Sequence, residues 1–169
     1  SAPPGNKGAL KGDLLFPANQ IDLNPFPSQP SRMAAETTLR LRNDFSELST
    51  VADTTTEFLE TNGIAPDIIF AANLAIEELV TNIIKYGYDD SNEHEISIHL
   101  AKHPDHLAIR ICDDGHPFNP FDQPPPDTTL PAAERDIGGL GIHFVRKMLD
   151  SCTHEWSEGK NIVTVTKNL

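Results

Sequence analysis

The 169-residue chain carries 13 Lys and Arg against 25 Asp and Glu, which gives a net charge of −12 at pH 7. This balance argues against nucleic-acid binding, because contact with phosphates favours a basic surface. Two cysteines without a CxxC pattern and seven histidines without HExxH spacing indicate free thiols and no zinc site. Since no apolar run reaches membrane-spanning length, we expect a cytoplasmic protein without membrane contact.

The first part of the chain differs in composition from the rest. Six prolines interrupt any helix within residues 1–35, and glycines loosen its opening stretch. We therefore predict an arm or linker at 1–35, of the kind that joins a domain to an upstream neighbour. A folded domain is expected at 36–169.

The domain begins with an alternating strand near 38–42, and a helix follows it. Asp44 and Glu47 have the spacing of a capping box at the start of that helix. Asn62-Gly63 has the chemistry of a left-handed helix end. The residues that follow at helical spacing along this first helix are Phe45, Leu48, Val51 or Ala52, Thr55 and Leu59.

A second helix is predicted from Pro66, a favoured first-turn residue, to Gly87. Its apolar stripe, at steps of three and four, comprises Ile69, Ala72, Ile76, Val80 and Ile83. Glu78 and Asn82 lie one turn apart on the opposite side and project together. A carboxylate beside an amide suits a general base next to a Mg²⁺ ligand. A solvated polar face is the more common origin of such a pair.

Two alternating strands follow the second helix, and the second strand leads to an aspartate. Their inward residues are Ile96, Ile98 and Leu100, then Leu107, Ile109 and Ile111. Asp113 continues the second series, so period-two alternation points it inward. An inward carboxylate needs a donor such as the exocyclic amine of adenine, and Gly115 lets a flat ring approach the backbone. An Asp that turns outward to cap the loop fits the Asp-Asp-Gly segment equally well.

The remaining segments complete the fold. Residues 116–137 are a proline-rich loop of the length expected for a functional lid. A glycine-rich segment at 138–141 then enters a helix that runs to about Asp150. Such an entry suits phosphate binding, although a flexible hinge is an alternative. Two strands, near 152–158 and 161–168, close the chain. The order predicts an α+β two-layer sandwich, with helices on one face of a mostly antiparallel sheet.

Taken together, three motifs resemble the GHKL ATPase family. The N box is matched by AIEELVTNIIKYGY from Ala75, and the two glycine boxes by ICDDGHPFNP and IGGLGIHFVRKMLD. The turn at Gly159-Lys160-Asn161 takes the place of the family's final hairpin. Order and spacing agree over 36–169. The phrases E-E-L-V-T-N, Y-G-Y and G-L-G-I are most similar to anti-sigma-factor serine kinases of the RsbW and SpoIIAB type.

The resemblance implies an ATP- and Mg²⁺-dependent serine/threonine kinase. It assigns Glu78 as the catalytic base, Asn82 as the Mg²⁺ ligand and Asp113 with Gly115 as the adenine site. It also assigns the nucleotide contacts near the phosphates to Gly139, Leu140 and Gly141. The implied substrate is a serine of a STAS-type anti-anti-sigma protein. The implied partners also include a sigma factor and a second copy of the kinase in a homodimer.

Two other functions fit the same motifs. One is a catalytically silent GHKL module that sequesters a protein partner, although such a module is expected to have lost some of the site residues. The other is the ATPase domain of another GHKL branch, such as a sensor histidine kinase. That alternative is weakened because no helical hairpin with a phospho-acceptor histidine precedes the domain in this sequence.

Overall fold

Five strands and three helices are formed by residues 35–122 and 140–169, which are the residues that the computed structural model describes. In chain order these elements are β1 (Ala35–Arg42), α1 (Leu48–Thr61), α2 (Pro66–Tyr86), β2 (Glu95–Lys102), β3 (His106–Asp113), α3 (Leu140–Met148), β4 (Ser151–Ser157) and β5 (Lys160–Asn168). The predicted arm lies outside the described residues except for Ala35, which begins β1, and most of the predicted lid also lies outside them.

The strands form one antiparallel sheet in the order β1-β2-β3-β5-β4. Its register aligns the inward residues of neighbouring strands, so Ile98 pairs with Ile111 and Ile111 pairs with Val163. All three side chains are almost fully buried. They belong to a core shared with α1, α2 and α3 on one side of the sheet. The predicted α+β two-layer sandwich is confirmed.

The end of α1 follows the Asn62-Gly63 prediction. Gly63 adopts a φ of 70°, a backbone conformation that glycine reaches without strain. Its N–H donates to the carbonyl of Glu60 at 2.9 Å, and the N–H of Ile64 donates to the carbonyl of Leu59 at 3.0 Å. These two bonds form a Schellman motif, which satisfies carbonyls at the helix end and turns the chain toward α2.

The start of α1 differs from the prediction in two respects. Asp44 caps the segment by accepting the Ser46 N–H at 2.8 Å, but Glu47 binds Nε of Arg42 at 2.8 Å and does not complete a capping box. A short 3-10 turn at Phe45–Glu47 precedes the helix. Because that turn has a different periodicity from an α-helix, Phe45 does not continue the apolar stripe. Its side chain is 49% exposed, so its place at the head of the helical series was wrong.

Thr55 is a buried polar residue on the core face of α1. It is fully buried, and its hydroxyl has no hydrogen-bond partner among the described residues. We expect Thr55→Val to raise the free energy of unfolding by about 1 kcal/mol, because it replaces an unsatisfied hydroxyl with a methyl group. Chemical denaturation measures this difference.

The matched control for that substitution is Thr54→Val, one residue earlier in the same helix. The Thr54 hydroxyl donates to the carbonyl of Thr50 at 2.8 Å, so this change removes a satisfied bond and is not expected to stabilise. Equal effects of the two substitutions would contradict the argument.

No helix within the two described ranges combines the length and the apolarity needed to cross a bilayer. The two cysteines are free, as predicted from the sequence, and both are half-buried.

Candidate functional site

A pocket of about 150 Å³ opens between the second half of α2, the ends of β3 and β5, and the loop that follows β3. Most of its wall is apolar. The apolar lining residues are Leu79, Ile83, Pro117, Phe118, Pro120 and Val163. The lining residues with polar side chains are Asn82, Tyr86, Asp113, His116 and Asn161. An apolar cleft with a few convergent polar groups is the usual form of a small-molecule site.

Asp113 is the buried acid of this pocket, only 4% exposed. Its Oδ1 accepts the Gly115 N–H at 2.9 Å and Nδ2 of Asn161 at 3.0 Å. The carboxylate therefore points inward, as the strand register predicts, and also caps the Asp-Asp-Gly loop. Its Oδ2 receives no hydrogen bond from the described residues. Burial raises the pKa of the Asp113 carboxyl, and the two hydrogen bonds oppose that rise.

Position 115 requires a glycine for a different reason from the one expected. A Cβ at this position would lie 2.6 Å from the carbonyl oxygen of Gly87 and 2.9 Å from Oδ1 of Asp113. The missing side chain thus makes room for protein atoms, and Gly115 does not line the pocket. Its role in the site is to let the loop fold back over Asp113.

Two contacts join the loop after β3 to the end of α2. The backbone N–H of His116 donates to the carbonyl of Gly87 at 2.8 Å, and its Nε2 lies 2.9 Å from Oδ2 of Asp89. Farther along the same loop, the guanidinium of Arg146 donates to the carbonyl of Phe121 at 3.0 Å. The wall of the pocket is therefore tied to both α2 and α3.

Glu78 and Asn82 lie beside the apolar stripe of α2 and not opposite to it. Both side chains are half-buried, and Asn82 shares the pocket wall with Leu79 and Ile83. The stripe is wider than the sequence predicted, because α2 packs against the sheet and both other helices. The two polar residues therefore occupy a protected boundary and not a solvated face.

The start of α3 reaches Glu78. A Cβ on Gly141 would overlap the Glu78 carboxylate, so a larger residue there would require the Glu78 side chain to move. Leu140 is 40% exposed beside it, and Gly139 lies outside the described residues. The structure thus brings Asn82 together with Asp113 at the pocket, and Glu78 together with Gly141 at the adjoining helix end.

Asn161 is the site residue that sequence reasoning did not single out. It is 5% exposed and bonds to Asp113 from β5. The signal was present in the sequence, since Asn161, Val163 and Val165 occupy alternate positions and all three are buried. An Asn at an inward position of a strand needs partners, by the same argument that singled out Asp113.

Comparison with known proteins gives the family. Residues 41–167 match the model of the histidine kinase-like ATPase domain. The chain belongs to this family. The resemblance inferred from the three motifs is thereby confirmed, because curated relatives of this ATPase-domain chain are named serine-protein kinase RsbW.

Two of these relatives and one solved structure illustrate the similarity. The RsbW of Bacillus velezensis is 28% identical over 112 residues, which cover 63% of this chain and 69% of the relative. The RsbW of Listeria monocytogenes is 26% identical over 105 residues, which cover 60% and 67%. A crystal structure of the RsbU and RsbW domains of a Mycobacterium tuberculosis protein matches with a TM-score of 0.55 at 16% identity. It covers 79% of this ATPase-domain chain and 32% of the other, and it supports the fold alone.

The residues present fit a nucleotide with Mg²⁺. Asp113 lines an apolar cleft, and its Oδ2 has no hydrogen bond from the described residues, so it can accept from the amino group of a flat ring. Within the described ranges no cluster of three or more acidic, His or Cys side chains stands ready to hold a metal. Mg²⁺ is ordinarily bound by one or two protein oxygens together with phosphate oxygens, and Asn82 can supply one such oxygen.

Proposed function

We propose that this chain is an ATP- and Mg²⁺-dependent serine/threonine protein kinase. Its substrate is a serine of a STAS-type anti-anti-sigma protein, and it also acts as an anti-sigma factor that binds a sigma factor. We propose residues 36–169 as the kinase domain, residues 1–35 as an arm or linker, and a homodimer in the cytoplasm as the working form.

The observation that carries the proposal is the position of Asp113. This buried carboxylate lines an apolar pocket, with one oxygen bonded to protein and the other without a hydrogen bond from the described residues. Such an arrangement suits the amino group of adenine. Asn82 lines the same pocket, as an ATP site with Mg²⁺ requires. Membership of the ATPase-domain family supports this assignment.

The proposed reaction transfers the γ-phosphoryl group of ATP to the serine hydroxyl. A bond forms between the serine oxygen and the γ-phosphorus, and the bond from that phosphorus to the bridging oxygen of ADP breaks. Glu78 orients the hydroxyl and accepts its proton, which makes the oxygen a better nucleophile. Gly141 allows the end of α3 to come close to that carboxylate. With Asn82 as a ligand, Mg²⁺ would supply charge neutralisation at the phosphates.

The kinase assignment is supported by Glu78 and by the relatives named serine-protein kinase. The STAS and sigma-factor partners rest on the resemblance to the RsbW type. We propose no direct contact with nucleic acid, in keeping with the net charge of −12.

Titration of the purified chain with ATP and Mg²⁺ in a calorimeter tests the first step. We expect saturable binding at micromolar to millimolar ATP. Absence of heat at millimolar ATP would end the nucleotide proposal. Labelled ATP is then added with a STAS-domain protein from the same organism, and transfer to its serine is expected. Binding without transfer, to that protein or to the chain itself, would favour the silent binding module.

A further inference from the structure

Asn161 joins several segments around the pocket. Its amide nitrogen donates to Oδ1 of Asp113 at 3.0 Å and to the carbonyl of His116 at 2.8 Å. Its amide oxygen accepts the backbone N–H of Phe118 at 3.0 Å and lies 3.0 Å from Nε2 of His154. An amide side chain has two donors and two acceptor positions, so these four contacts use all of its capacity.

The partners of Asn161 fix the direction in which its amide points. The carbonyl of His116 only accepts and the backbone N–H of Phe118 only donates, so the amide nitrogen faces the former and the oxygen the latter. Nε2 of His154 therefore carries a proton and donates to the amide oxygen. Hydrogen bonds thus run from His154 to Asn161 and from Asn161 to Asp113, and in the last of them an N–H donates to the carboxylate.

We propose that Asn161, held by the backbone of His116 and Phe118 and by His154, is the positioning residue that keeps Asp113 an ionised acceptor toward the pocket. The inference rests on the proposed ATP-binding function and adds two residues to it. Burial by itself favours the neutral carboxylic acid, whose O–H is a donor. Adenine presents an amino donor at the position where guanine presents an oxygen acceptor. A protonated Asp113 would therefore lose its preference for adenine over guanine. The Asn161 N–H opposes that protonation because it donates to the ionised carboxylate.

Among the described residues, three other titratable groups lie near enough to Asp113 to interact with it through their charges. They are Asp114, which is next in the chain, His154 of β4 and Tyr88 of the loop after α2. The charge of Asp114 raises the pKa of Asp113, and His154 lowers it. Asp114 and Tyr88 are not hydrogen-bond partners of Asn161, but His154 is, so variants at His154 are needed to separate its effect from that of the Asn161 amide.

The test compares ATP affinity across a pH series for the wild type and Asn161→Asp. This substitution keeps the shape of the side chain and an oxygen for the Phe118 N–H, but it places a second carboxylate beside Asp113. Two carboxylates that share a site cannot both ionise freely. We expect the pH at which ATP affinity falls by half to move upward by roughly one unit or more. Preference for ATP over GTP should decline over the same pH range.

His154→Leu provides a second variant, at a half-buried position. If Asn161→Asp does not fold, the pH dependence of ATP affinity in His154→Leu tests the inference. We expect a smaller shift in the same direction, and His154→Gln, which keeps an N–H donor, should restore the wild-type profile. Loss of affinity by the same factor at every pH would assign Asn161 a merely structural role and overturn the inference. An unchanged profile in folded variants would do so as well. Failure of the wild type to bind ATP would instead defeat the proposed function.

Discussion

Replacing Asp113 with Asn is expected to weaken ATP binding by about 10- to 100-fold, the loss that follows from removing one charge-assisted hydrogen bond. The new amide can still accept the Asn161 and Gly115 N–H groups through its oxygen. Its NH₂ group would then face the pocket, opposite the amino group of adenine, so two donors would meet. Titration calorimetry with ATP measures the loss, and titration with GTP should show that the preference for ATP narrows.

The matched control is Asp114→Asn, the same change at the neighbouring position. Asp114 is exposed, and its Oδ1 lies 3.1 Å from Nδ1 of His94, away from the pocket. We expect ATP affinity to stay near the wild-type value in this variant. Equal losses in the two variants would indicate that net charge, and not the buried acceptor, governs nucleotide binding.

Folding provides an independent check on Asp113→Asn. Burial raises the pKa of this carboxyl in the folded chain, so its ionised form opposes folding, and stability is lost as the pH rises through that pKa. An uncharged Asn removes this dependence. The melting temperature at neutral pH should therefore hold or rise while ATP affinity falls. A variant that loses both would have a damaged fold, and its affinity would carry no information about recognition.

Much of the fold could be predicted because strand and helix periodicities are local properties of the sequence. The alternation that ends at Asp113 correctly predicted an inward carboxylate, which is 4% exposed. The limits of α2 followed from Pro66 and Gly87 for the same reason, since both residues act on the backbone next to them.

Tertiary contacts could not be predicted in the same way. Asn161 meets Asp113 only because β5 pairs with β3, a contact between residues 48 positions apart. The contact of Gly141 with Glu78 depends on the packing of α3 against α2, which no local pattern specifies. Phe45 was misplaced because a 3-10 turn interrupted the helical period. The parts of the site that sequence reasoning missed are therefore those that distant segments build together.

Replacing Glu78 with Gln is expected to slow phosphoryl transfer by about 10²- to 10⁴-fold, the usual contribution of a positioned general base. The amide has nearly the same shape, so it can keep the contact with Gly141, but it cannot accept the serine proton. ATP affinity should stay near the wild-type value because Glu78 does not line the pocket. The rate of label transfer from ATP to the STAS-domain protein measures the effect, and calorimetry measures the affinity.

Glu77→Gln is the matched control, since Glu77 is the adjacent residue of α2 and is exposed on the side of the helix near α1. It removes the same charge from the same helix without touching Gly141, so transfer at the wild-type rate is expected. Equal rates for Glu78→Gln and the wild type would remove Glu78 from the chemistry. Loss of ATP binding together with transfer would mean that Glu78 acts in holding the nucleotide, and the base would have to be sought elsewhere. Only slow transfer at unchanged affinity, with Glu77→Gln unaffected, supports Glu78 as the proton acceptor.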